Sequence, residues 1–315
     1  MSKNSIHVVF GTGPAGLAVT DALVASGQRV RVVNRSGRAD VPEGVDVVGG
    51  DATDPVFSRH VCEGASVVYN CTNAPYDKWP EMFPPLQVGV LEGAAAAGAK
   101  LVSMENLYMY GPTGGKPMTE DLPYTATTRK GRVRAQMARD LLAAHKSGRV
   151  RVAIGRASDY FGPRVLLSAL GNRVFPPALA GKAVQVLGDP DLPHTYSYVP
   201  DIGKALVILG ERDEALGQVW HLPSPETVTT RECLNMIFEE TGREPKIQVT
   251  PRLALRLMGL FNPQIRELIE MLHEWDEPFI MDHSKFTQAF GDALTPTPLR
   301  EALRTTLDWY RALPQ

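Results

Sequence analysis

Residues 6–16 read Ile6-His7-Val8-Val9-Phe10-Gly11-Thr12-Gly13-Pro14-Ala15-Gly16, a β-rich, largely apolar run that meets three glycines and then opens a helical pattern. The order predicts a strand, a tight turn and a helix. At this spacing the first glycine permits the bend, the second lets the backbone approach a pyrophosphate, and the third admits close helix packing. The N–H groups at the helix start are then free to meet an anion. Alone the spacing is a weak signal. Set between a strand and a helix, with a second strand at residues 30–33, it predicts dinucleotide binding by Gly11, Thr12, Gly13, Pro14, Ala15 and Gly16. Along the helix Ala15, Ala18, Ala22 and Ala25 recur at spacings of three and four, a small-residue face able to approach a sheet closely.

Outward from this unit, apolar runs at 45–48, 66–70, 101–103 and 150–154 repeat the alternation, which predicts parallel strands joined by crossover helices. The expected fold class is α/β: a Rossmann-type doubly wound parallel sheet with a smaller C-terminal substrate-binding portion. After Gly155 the pattern is broken by Pro163, Pro176, Pro177, Pro190, Pro193 and Pro200. The expected division is a nucleotide-binding domain over 1–160, to which 195–222 returns, and a mainly substrate-binding, interleaved portion over 161–315. Within the latter, 253–261 and 265–273 are apolar, Met-containing helical stretches, read as core packing, a pocket roof or a partner surface.

The composition limits the partners. With 315 residues, 43% apolar and 22% charged, the chain can bury a sizeable core, which excludes disorder or coiled coil as a description of the whole. Thirty-three Lys plus Arg against 35 Asp plus Glu leave no basic excess for nucleic acid or an anionic membrane. Cys62, Cys71 and Cys233 are far apart and form no CxxC pair, which fits a reducing compartment and gives no metal site. No stretch has the length of a spanning helix, and residues 1–5 lack an apolar signal region, so a cytoplasmic location is expected.

At the end of the second strand, where an NAD site usually carries an acidic residue, the sequence reads Asn34-Arg35-Ser36-Gly37-Arg38. Arg35 can clamp a ribose 2′-phosphate and stack on adenine, with Arg38 nearby, so NADP(H) is expected ahead of NAD(H). Both arginines can equally be solvated loop residues. Asp51, in Gly49-Gly50-Asp51, is open to two readings, an acceptor for the adenine amino group or a turn residue.

Together with Tyr110-Gly111, Gly155-Arg156, Phe161-Gly162-Pro163, Tyr198-Val199-Pro200-Asp201 and the closing Trp309-Tyr310, these motifs resemble the extended short-chain dehydrogenase/reductases, the group of nucleotide-sugar epimerases and dehydratases. The resemblance spans nearly the whole chain. It implies a Ser or Thr before Tyr110-Gly111 and a Tyr-x-x-x-Lys on the following helix, and both are absent. Asn106 stands at the serine position, Lys130 at the tyrosine and Arg134 at the lysine. Asn34, Ala52, Thr72 and Arg134 complete the expected cofactor contacts. Homodimerisation is implied by the resemblance alone.

An atypical site follows. Tyr108 is a candidate substitute phenol, with Glu105 or Asn106 as its neighbour. Lys130, four residues from Arg134, is a candidate acid-base lysine if the second cation pushes it toward neutrality, and otherwise an anion-binding residue. Asp159, at the end of the sixth strand, is read as a base or a turn cap; Tyr160 and His194 are candidate substrate contacts. The sequence fits an NADP(H)-dependent oxidoreductase acting on a small carbonyl or alcohol. It also fits a non-enzymatic NAD(P) sensor resembling the nitrogen-metabolite repression regulators, or a non-redox isomerase or lyase.

Overall fold

The computed structural model describes residues 5–313. Residues 1–4, part of the stretch read as lacking a signal region, lie outside the described residues.

The opening unit forms as its sequence demands: β1 (Ile6–Phe10), the glycine turn, α1 (Pro14–Ala25) and β2 (Arg29–Asn34). The chain continues through β3 (Asp46–Gly49), α2 (Pro55–Val61), β4 (Ala65–Asn70), α3 (Trp79–Ala97), β5 (Lys100–Glu105), α4 (Arg129–Lys146) and β6 (Arg151–Arg156). Then come β7 (Asp159–Phe161), α5 (Phe175–Leu179), β8 (Val184–Val186), β9 (Pro193–His194), β10 (Tyr196–Tyr198), α6 (Val199–Glu211) and β11 (Val219–His221). The remaining elements are β12 (Val228–Thr229), α7 (Thr230–Thr241), β13 (Ile247–Val249), α8 (Arg252–Phe261), α9 (Pro263–Ile269), α10 (Ser284–Phe290) and α11 (Leu299–Ala312).

Seven strands form one parallel sheet in the order β11-β6-β5-β4-β1-β2-β3. The order reverses beside β1, and such a switch point opens a crevice at the strand carboxyl ends. Strands buried on both faces read as continuous apolar runs, and Val8, Val9, Phe10, Val67, Val68, Leu101 and Val102 are each almost wholly buried. Chain 199–222 contributes both a covering helix and the edge strand β11, so the seven-stranded sheet and its helices are assembled from two separate stretches.

The alanine face of α1 meets the sheet as expected and has a second partner besides it. Ala18 packs against α6, where a Cβ on Gly203 would collide with the Ala18 backbone, and Ala25 is exposed. The small residues therefore serve helix-to-helix approach as well as contact with the sheet. The C-terminal portion carries three two-stranded ladders, β7 with β10, β9 with β12 and β8 with β13, and its own core around Phe175, Phe238 and Leu303. No helix among the described residues is long and apolar enough to cross a membrane.

Candidate functional site

The first cluster surrounds the glycine turn. Gly11 has φ 100°, and a Cβ there would run into the Cys71 carbonyl, as one on Gly16 would into the Gly11 carbonyl. Gly13 is exposed, and a Cβ on it would meet nothing within 4 Å. No side chain caps α1, Pro14 has no N–H, and the first intrahelical bond runs from Leu17 N–H to the Gly13 carbonyl (3.0 Å). The Ala15 and Gly16 N–H groups are thereby available to an anion.

Asn34 acts here indirectly. Its Nδ2 donates to Thr12 Oγ1 (3.1 Å) and the Arg38 carbonyl (2.7 Å), and its Oδ1 accepts from the Gly37 N–H (2.7 Å). The carboxamide folds the loop that leaves Arg35 and Arg38 exposed. Asp51 takes the turn reading: it accepts from the Thr53 N–H (2.9 Å) and hydroxyl (2.8 Å). Those bonds, and then the charge of Arg35, hold its carboxyl below the usual range. Ala52 is buried where Gly89 of α3 closely approaches its carbonyl. Thr72 donates to Asn70 Oδ1 (2.7 Å) as the chain leaves β4. An open glycine, two available N–H groups and an exposed arginine fit a dinucleotide.

The second cluster lies at the ends of β5 and β6. Asn106 Oδ1 accepts from the Tyr108 N–H (3.3 Å) and so shapes the turn. The Tyr108 ring stacks on Trp79 (5.5 Å), and its hydroxyl lies 3.4 Å from that of Tyr76. Burial, and then the charge of Glu274, pushes the Tyr108 phenol well above the usual tyrosine range. Glu105, expected beside Tyr108, instead points into the core toward Arg156.

Lys130 and Arg134 part company. Buried Lys130 bonds the Glu267 carboxylate from α9, with Glu270 Oε2 at 3.4 Å and the Tyr76 ring centroid 4.3 Å from Nζ. Arg134 donates to the Met104 carbonyl (3.2 Å) and lies over Phe83. The expected interplay between the two cations is thus replaced by ion pairing of Lys130 to α9, because the fold brings two carboxylates to it from 137 and 140 residues away.

Two candidates read separately do meet: His194 Nε2 is 3.1 Å from Asp159 Oδ2. The imidazole stacks on Tyr196 (4.5 Å) and Phe279 (5.0 Å). Tyr160 is half-buried beside Asp159, and burial, then that carboxylate, raises its phenol. Glu274 escaped the sequence reading. It is 1% exposed, neither carboxyl oxygen has a hydrogen-bond partner, and burial followed by the charge of Asp159 pushes it well above the usual carboxylate range. A readable signal existed: Glu267, Glu270 and Glu274, spaced three and four apart, interrupt an apolar stretch on one helical face.

A buried network supports this floor. Arg156 donates to Glu105 Oε2 (3.1 Å), Tyr110 Oη (2.6 Å) and Tyr124 Oη (2.6 Å). The Tyr110 hydroxyl lies 2.8 Å from His221 Nε2, and His221 Nδ1 lies 2.8 Å from the Asp282 carbonyl. Donation from Nδ1 to that carbonyl leaves Nε2 to accept from Tyr110. Burial holds His221 down at about 3. Unfolded histidine titrates near 6.5, so below that pH the unfolded chain binds a proton the folded chain refuses. Stability is expected to fall by about 1.4 kcal/mol per pH unit from about pH 6.5 toward pH 3. Urea midpoints at pH 7 and pH 5 check this: His221 accounts for about 2 kcal/mol of loss, and His221→Gln, if the same loss persists, contradicts it.

Comparison with known proteins agrees with this architecture. At 24% identity, covering 99% of this chain and 90% of the other, the chain is similar to a dTDP-glucose 4,6-dehydratase of Mycobacterium tuberculosis. An epimerase from Methanothermobacter thermautotrophicus superposes with a TM-score of 0.80 at 19% identity, over 98% of this chain and 92% of that one. A Bacillus anthracis dTDP-glucose 4,6-dehydratase in complex with NAD gives 0.78 at 16% identity, over 98% and 96%. The profile of the NAD dependent epimerase/dehydratase family matches residues 6–222, from β1 through the edge strand that completes the sheet, and the chain belongs to that family.

Proposed function

We propose that the chain is an NADP(H)-dependent oxidoreductase acting on a small carbonyl or alcohol, with Asp159 in charge of the proton. The observation that carries this reading is the pairing of Asp159 with His194 at the sheet's carboxyl ends, in a site where no tyrosine is activated. Phenols serve as bases when a neighbouring cation lowers their pKa. Here Lys130 is held by Glu267 and Glu270, and Tyr108 is pushed upward. Tyr108 therefore stays protonated at neutral pH and acts as a hydrogen-bond donor to the reacting oxygen. Asp159 accepts or returns the proton, and His194 orients the carboxylate.

Bound nicotinamide supplies or accepts the hydride. Ala15 and Gly16 would hold the pyrophosphate at the start of α1, with Thr12 and Thr72 as further contacts, and Arg134 of α4, which donates to the Met104 carbonyl at the end of β5, would be a further cofactor contact. Arg35 takes the 2′-phosphate, since no carboxylate stands at the end of β2 to bind a free ribose hydroxyl. Hydrogen bonds between charged groups contribute about 1.5–3 kcal/mol, so Arg35→Ala is expected to weaken NADPH binding roughly 10- to 100-fold. NADH affinity should stay unchanged. Titration by nucleotide fluorescence checks both, and equal losses for the two nucleotides contradict the assignment.

The relatives' names favour a second reading, isomerisation or elimination with the nicotinamide retained. Net loss of NADPH absorbance during turnover separates the two.

A further inference from the structure

Asn34 closes β2 where an NAD site usually carries an acidic residue, and its side chain bonds in two directions. Outward, Oδ1 accepts from the Ser36 N–H (3.0 Å) and the Gly37 N–H (2.7 Å), and Nδ2 donates to the Arg38 carbonyl (2.7 Å). An asparagine that binds the backbone two and three residues on imposes a turn, and the bond to Arg38 closes it, which fixes where residues 35 and 38 leave the chain. Inward, Nδ2 donates to Thr12 Oγ1 of the glycine turn (3.1 Å). We infer that Asn34 is a positioning residue for the nucleotide: it holds the loop of Arg35 and Arg38 in the shape that receives a 2′-phosphate and ties that loop to the turn that meets the pyrophosphate. This rests on the NADP(H) reading and names the residue through which the selectivity of Arg35 is set.

The amide suits this place and a carboxylate does not. Nδ2 has two hydrogens, and the bonds to Thr12 and Arg38 use both. An ionised aspartate would supply neither and would set a negative charge beside the phosphate. A second contact fixes the loop from the other side: Gly37 has φ 65°, and a Cβ on it would lie 3.2 Å from the Cα and nitrogen of Gly49 at the end of β3. The Asn34 carbonyl accepts from the Gly50 N–H (2.9 Å) at the same edge. Inside the loop the Ser36 and Gly37 N–H groups are already bonded to Asn34, and the Arg38 N–H donates to Ser36 Oγ (3.3 Å). The exposed Arg35 and Arg38 side chains are therefore what the loop presents to an anion. Thr12, accepting from Asn34, keeps its hydroxyl hydrogen for a phosphate oxygen. A loop folded beforehand avoids part of the cost of ordering two long side chains at binding.

The experiment is fluorescence titration with NADPH and NADH of the wild type, Asn34→Ala, Gly37→Ala, Arg35→Ala and the double variant Asn34→Ala/Arg35→Ala. The readout is the ratio of NADPH to NADH affinity, in which any loss shared through Thr12 and the pyrophosphate cancels. Asn34→Ala is expected to lower that ratio about tenfold, although no group that meets the 2′-phosphate has been removed. Gly37→Ala, which displaces the same loop without touching Asn34, should lower it as well, and it decides the matter if Asn34→Ala does not fold. A residue acting through another shows coupling, so Arg35→Ala should lower the ratio by less than about threefold further once Asn34 is alanine. An unchanged ratio in either loop variant, equal losses for both nucleotides, or an Arg35 effect of the same size in both backgrounds overturns the inference. Absence of any NADPH preference in the wild type is a separate result: it removes the NADP(H) reading, and the inference with it.

Discussion

Asp159→Asn is expected to lower kcat by about 10²- to 10⁴-fold, the usual contribution of a positioned proton-transfer group. The amide keeps the shape of the carboxylate and its contact with His194 but cannot take up a proton. Nucleotide affinity should therefore remain, since Asp159 pairs with His194 and not with the glycine turn. Steady-state oxidation of NADPH with a small ketone that the wild type reduces gives the measurement. Full turnover by the asparagine variant would remove Asp159 from the chemistry and return the proton to Tyr108. Tyr108→Phe supplies the contrast, because a residue that only donates a hydrogen bond should cost less than one that moves the proton.

Arg156→Met should be the most damaging single change to stability. The guanidinium is 0% exposed and is shared among Glu105, Tyr110 and Tyr124. Its removal takes from the buried Glu105 carboxylate its ion-pair partner and leaves it the charge of Arg134 alone, a loss of about 3–5 kcal/mol. For a chain of this size the melting temperature should drop by roughly 6–15 °C. Glu105→Met in the same chain should restore much of that loss, because it removes the carboxylate left without its ion-pair partner. A drop under about 1 kcal/mol for the single variant would mean that water reaches this network and solvates Glu105.

The two variants probe parts of the molecule that differ in how far the sequence reveals them. Gly11, Gly13 and Gly16 constrain their own backbone, so strand, turn and helix follow from residues within a few positions of one another. The parallel sheet follows from runs such as 66–70 because a strand covered on both faces must be apolar along its length. The packing of α1 on α6 was hidden, since Ala18 and Gly203 meet only once the chain has folded. The short ladders of the C-terminal portion were hidden for the same reason: Pro193–His194 pairs with Val228–Thr229 through two residues each, too few to leave a periodic pattern.

At the site, local chemistry was legible and pairing was not. The missing tyrosine, the absent acidic residue after β2 and the placement of Asp159 at a strand end are all readable in the chain. The partners of Lys130 are not, because Glu267 of α9 and Glu270 just after it lie outside the matched family region, and a charge reads the same in sequence whether it is free or paired. Glu274 was missed because Glu267, Glu270 and Glu274, spaced three and four apart, look like a solvated helix face until the burial of Glu274 is known. The turn role of Asp51 likewise depended on the Thr53 bonds.

The most direct test of the whole account is a calorimetric titration of the purified chain with NADPH, NADP, NADH and NAD under identical salt. The account predicts that the two phosphorylated nucleotides bind at least about tenfold more tightly than their counterparts, and that Arg35→Ala removes the difference. Tighter binding of NADH than NADPH would contradict the assignment of Arg35, and no heat with any of the four would contradict the nucleotide site itself.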